Sequence, residues 1–100
     1  MKPFVEINLD KPRRLRYTIN ALVALEEKLG KPISAIDRTK IGIKEFRLLL
    51  WAGLIHEDPN LTEEKVGELM DEADINYIAE KINEAIQISL GMKGDIKNVR

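Results

Sequence analysis

The chain has 100 residues, 44% hydrophobic and 33% charged, with a formal net charge of −1, a balance that fits one folded domain and excludes a disordered chain. It holds no cysteine, which removes disulfides, thiolate nucleophiles and cysteine metal sites together, and no stretch approaches the roughly 20 apolar residues that span a bilayer as a helix. The opening MKPFVEINLD alternates in polarity where a signal peptide would carry an unbroken apolar run, so the expected location is the cytoplasm.

Phe4 to Leu9 places Val5, Ile7 and Leu9 on one side and Glu6 and Asn8 on the other, which predicts a half-buried strand. Asp10-Lys11-Pro12 reads as a turn, since proline presets φ and has no N–H to give a ladder. Arg13 to Tyr17 alternates again, with Leu15 and Tyr17 on one face. The two runs predict a β-hairpin, which is marginal alone and must pack on helices. Thr18 is the expected N-cap of a first helix carrying Ile19, Leu22, Val23, Leu25 and Leu29, stopped by Gly30 and Pro32. Residues 33–40 form a connector with one short turn. A second helix is predicted from Gly42 to Ile55, and a third is capped by Thr62, with Val66, Leu69, Met70 and Ala73 at i, i+3, i+4, i+7. Asp74 or Asn76 starts a fourth, lined by Ile75, Ile78, Ala79, Ile82, Ala85, Ile86 and Leu90 and closed by Gly91 and Gly94; residues 92–100 read as flexible. The predicted fold is mainly α with a small β-hairpin (α+β), a two-stranded N-terminal hairpin packed on a bundle of about four helices in one domain, 1–100.

The charge is uneven. Lys2, Lys11, Arg13, Arg14 and Arg16 dominate the first 17 residues, whereas residues 57–84 carry ten carboxylates against Lys65 and Lys81. The plain expectation is attraction between the two regions across the fold, or two solvated faces. The sole histidine, His56, precedes Glu57 and Asp58, but three adjacent residues rarely converge on one ion, and a cation near a helix C-terminus is the simpler reading. Glu64, Glu68, Asp71 and Glu72 fall on a helical face opposite the apolar stripe, where nothing desolvates a carboxylate for acid–base work. Lys40, Lys44 and Arg47 form a short basic stripe, too little for a nucleic-acid module in a slightly acidic chain. Neither serine, Ser34 nor Ser89, has an implied base, and no glycine pattern makes a phosphate loop. No enzyme, no metal and no cofactor are expected.

The informative segment is FRLLLWAGLI, Phe46 to Ile55, in which nine of ten residues are apolar or glycine. A helix hydrophobic nearly all round must be covered nearly all round. Its plain role is the central helix, but a small domain struggles to bury both sides, leaving surface for a protein partner. Phe46, Leu50, Trp51, Leu54 and Ile55 are the candidate protein-binding residues, with Trp51 as anchor because tryptophan is enriched at interface hot spots.

Three blocks in order, RLRYTINALVALEEKLGKPI, LLLWAGLIHEDPNLT and EEKVGELMDEADINYIAEKINEAIQISLG, span most of residues 3–91. In them the chain resembles the tail assembly chaperones of long-tailed phages and related prophages, most specifically in the middle block. That resemblance implies a non-virion protein in the cytoplasm of the bacterial host, which binds the aggregation-prone tape measure protein until tail tube subunits polymerise around it. Tube subunits and further copies of the chain are the other implied contacts, and a longer frameshifted product occurs in many such families. The alternatives are a small nucleic-acid-binding regulator using the basic residues, or a structural tail or connector component.

Overall fold

The computed structural model describes residues 4–36 and 40–90. The expected glycines Gly91 and Gly94 and the tail 92–100 lie outside the described residues. The order is β1 (Val5–Asn8), β2 (Pro12–Leu15), α1 (Ile19–Leu29), a single 3-10 turn (Ile33–Ala35), α2 (Ile43–Leu54), α3 (Glu63–Asp71) and α4 (Ile75–Leu90). Four helices and an antiparallel hairpin packed on them make an α+β fold.

The ends of the elements follow from local chemistry. Thr18 Oγ1 accepts from the Ala21 N–H at 3.0 Å and Thr62 Oγ1 from the Lys65 N–H at 3.1 Å, each satisfying an orphan donor at a helix start. Gly30 takes φ 75°, the left-handed conformation that ends α1. Gly42 has no side chain to cap α2, but Glu45 Oε1 reaches back to the Gly42 N–H at 2.8 Å, one half of a capping box. Asp74 Oδ1 accepts from the Asn76 N–H at 2.9 Å where α4 begins.

The strands are shorter than the alternation predicts, and Pro12 opens β2 where the turn was expected to hold it. Proline fits because the first residue of an edge strand can do without an N–H. In the register Val5 opposes Leu15, Glu6 opposes Arg14, Ile7 opposes Arg13 and Asn8 opposes Pro12. One face therefore carries Val5, Ile7, Arg13 and Leu15, all buried, while Glu6, Asn8 and Arg14 face solvent. Arg13 is tolerated inside because Asp10 receives Nε at 2.8 Å and Nη2 at 3.0 Å, with Asp58 3.8 Å from Nη1. A buried charge stays only when paired and hydrogen-bonded. The same bonds hold the Asp10 carboxyl below its ordinary value, led by the hydrogen bond from Arg13.

α2 is the axle of the fold, packed against α1, α3, α4 and β2, while α4 backs both strands. Leu48, Leu50, Ala52 and Leu54 of α2 are buried together with Ile7, Leu15, Leu25, Val66 and Ile78 from the elements around it. Close approach of β2 depends on Gly53: a Cβ there would lie 2.7 Å from Leu15 Cδ2 and 3.0 Å from Tyr17 Cζ. At this contact the Arg16 N–H donates to the Gly53 carbonyl at 2.9 Å and the Tyr17 hydroxyl donates to the Leu49 carbonyl at 2.6 Å. The chain leaving the hairpin thus satisfies the Gly53 carbonyl at the C-terminal end of α2, while the Leu54 carbonyl accepts from the Glu57 and Asp58 N–H groups at 3.2 Å each. α4 is stitched to the hairpin at both ends, the Asn8 N–H donating to the Tyr77 hydroxyl at 2.9 Å and the Tyr17 N–H to Ser89 Oγ at 3.1 Å.

Candidate functional site

The five candidate residues of α2 do not share a surface. Phe46, Leu50 and Leu54 are 9%, 0% and 1% exposed, so the expectation that they contact a partner is corrected: α1, α3, α4 and β2 enclose that helix. Trp51 and Ile55 are half-buried. The Trp51 ring is held from both sides, its Nε1–H donating to the Leu61 carbonyl at 2.9 Å and Lys28 Nζ standing 5.3 Å from the ring centroid. Much of the tryptophan is thereby spent inside the fold, and its remaining edge lines an open cleft of about 430 Å³ with Lys28, Arg47 and Glu63. Glu63 bridges two cations there, Lys28 at 2.9 Å and Arg47 at 3.4 Å. Its carboxyl is held below the ordinary glutamate value, chiefly by the hydrogen bond from Lys28 and then by the charges of Lys28, Arg47 and Lys44.

The charged residues sort themselves by partner. His56 Nε2 lies 2.7 Å from the Arg14 carbonyl; since a carbonyl only accepts, Nε2 carries the proton. Glu57 pairs with Arg14 and Asp58 with Arg13, so all three adjacent residues are engaged by β2, and the basic hairpin pairs with the first two carboxylates of the acidic region. Among the described residues no group of three or more metal-ligating side chains converges, and no helix is long and apolar enough to cross a membrane. The basic stripe is broken: Lys40 precedes α2, and Arg47 is turned to Glu63. Glu64, Glu68, Asp71 and Glu72 are exposed.

A second surface was not anticipated from the sequence. Between the start of α2, the length of α3 and the start of α4 runs an open groove of about 670 Å³. Ile43, 68% exposed, stands on one side and Ile75, 46% exposed, on the other, with half-buried Met70 and Gly67 along α3. Gly67 keeps the floor low and lets Arg47 cross α3, its hypothetical Cβ lying 3.4 Å from Arg47 Cδ. Glu64, Glu68 and Asp71 supply the rim. Two isoleucines at first helical positions and a glycine inside an amphipathic helix were the available signals. Elsewhere Ile19 and Val23 are exposed one turn apart on α1. Such surfaces bind by apolar contact and are ordered by charge.

Comparison with known protein families, curated proteins and solved structures returns no match.

Proposed function

We propose that this chain is a tail assembly chaperone of a long-tailed phage or prophage, which binds the tape measure protein and keeps it soluble in the host cytoplasm until tube subunits take its place. The reading draws on the sequence resemblance across residues 3–91. The observation that carries it in the fold is exposed apolar side chain outside a well-filled core: Ile43 and Ile75 stand 68% and 46% exposed on either side of Met70, among carboxylates. A chaperone of this kind needs apolar contact for affinity and a charged exterior for solubility. It also needs contacts modest enough to be displaced, since affinity among related complexes is set mostly by the off-rate.

The charge pairing disfavours the nucleic-acid reading. Arg13 and Arg14 of the hairpin and Arg47 of the helical stripe are each engaged by carboxylates, which leaves less positive charge for phosphates.

Co-expression with a tape measure protein of a long-tailed phage or prophage from the same genome as this chain tests the proposal. The soluble fraction of the tape measure protein should rise several-fold, and mass spectrometry of purified virions should not find the chain. An unchanged soluble fraction, or the chain in stoichiometric amount in virions, would defeat it.

A further inference from the structure

We infer that the groove between α2, α3 and α4 is the docking site for a basic amphipathic helix, its apolar ridge seated between Ile43 and Ile75 and its lysines and arginines meeting the carboxylates of α3. The inference rests on the reading above that the chain works by binding protein. The groove is bounded by helices, and no strand of the hairpin lines it, so a partner has no sheet edge to extend. An apolar helical ridge laid between helices is the mode such walls accept. Met70, unbranched and polarisable, can adjust to more than one ridge, and glycine at position 67 adds no side chain of its own to the floor, which the Arg47 side chain crosses.

Charge selects the occupant. Glu64, Glu68 and Asp71 face one cation, Arg47, along the lining, and that cation is 3.4 Å from Glu63. Lys65 approaches Glu68 at 3.7 Å, while Glu64 and Asp71 have no ion-pair partner among the described residues. A second copy meeting the groove through the same face would bring like charges together, which costs rather than stabilises. DNA, RNA and anionic membranes meet the same repulsion. A helix with an apolar stripe flanked by lysine and arginine satisfies both the isoleucines and the rim.

The test uses the full chain and a fluorescent synthetic helix of about 18 residues with leucines on one face and lysines beside them, read by anisotropy. The same peptide with glutamate for every lysine is its control. The lysine peptide is expected to bind at least about tenfold more tightly than the glutamate peptide, with a preference that shrinks as salt rises. Ile43→Ser combined with Ile75→Ser, which removes the apolar seat without adding charge, should weaken it about tenfold or more with the urea midpoint nearly unchanged, since both side chains are exposed. Glu64→Lys with Asp71→Lys should invert the peptide preference. Equal binding of the two peptides, or full binding by the isoleucine variant, would overturn the inference, as would a concentration-dependent dimer that the isoleucine variant abolishes. If the isoleucine variant still solubilises the tape measure protein, the groove assignment falls while the chaperone reading stands. If the peptides behave as expected but the wild-type chain solubilises nothing, the assignment stands and the chaperone reading falls.

Discussion

Gly53 and Gly67 each sit inside a helix, and each costs its helix about 1 kcal/mol relative to alanine, yet they serve different contacts. At Gly53 the missing side chain is filled by the hairpin: Leu15 and Tyr17 lie where a Cβ would go, and backbone and hydroxyl donors reach the adjacent carbonyls. At Gly67 the neighbour is the long Arg47 side chain at ordinary contact distance, in an open groove that Ile43 and Ile75 also line. One glycine permits packing within the chain, while the other leaves a groove unfilled. The lesson is that a glycine in a helical pattern marks a close approach, and only the fold says whether the approaching group is a packed core side chain or a flexible surface one.

The contrast is easiest to break at its closed end. Leu15, fully buried against α2, should cost about 2–5 kcal/mol when changed to alanine, measured by urea denaturation. Next is Gly53→Ala, expected to lose about 1–3 kcal/mol to overpacking, offset in part by helix propensity. Because Leu15 Cδ2 is the nearest obstacle, the Leu15→Ala/Gly53→Ala double variant should lose less than the sum of the two; strict additivity would show that this contact is not what requires glycine. Tyr17→Phe removes one buried hydrogen bond to the Leu49 carbonyl and should cost about 1 kcal/mol.

Smaller effects belong to the open side. The Glu63 carboxyl titrates below its ordinary value of 4.5 in the folded chain. The stability it contributes is therefore complete above that value and is lost as pH falls through the folded pKa. A urea midpoint followed downward from pH 6 should fall less steeply in Glu63→Gln than in the wild type; identical slopes would remove Glu63 from the acid response. Gly67→Ala should be the mildest change, neutral or stabilising by up to about 1 kcal/mol, because its methyl meets only the flexible Arg47 side chain. A loss comparable to that of Gly53→Ala would erase the distinction between the two glycines.

Much of the architecture was legible because it is local. Thr18, Gly30 and Thr62 act within a few residues of themselves, so their capping roles hold in nearly any tertiary setting, and the alternation of Val5, Ile7 and Leu15 needs only a strand to present one face. The candidate site was less legible. The apolar run from Phe46 to Ile55 marked a helix wanting cover on most sides, but sequence could not apportion that cover among α1, α3, α4 and the hairpin. The surplus apolar surface anticipated at Phe46, Leu50 and Leu54 lies instead at Ile43 and Ile75. Arg13, one of the basic residues of the hairpin, shares the inward face of the alternation with Leu15, and its pairing with Asp10 and Asp58 makes that burial tolerable.

The sequence by itself determined the order of the helices and strands, the capping residues Thr18, Gly30 and Thr62, and which face of each element is apolar, because these follow from neighbours a few residues away; the strand ends shifted by a residue or two. Tertiary structure alone decided which of two helical glycines is filled, how Trp51 is divided between core and surface, and where the exposed isoleucines gather. Those outcomes depend on residues as distant in sequence as Ile43 and Ile75, which line one groove, or Leu15 and Gly53, which meet, and no local spacing encodes either.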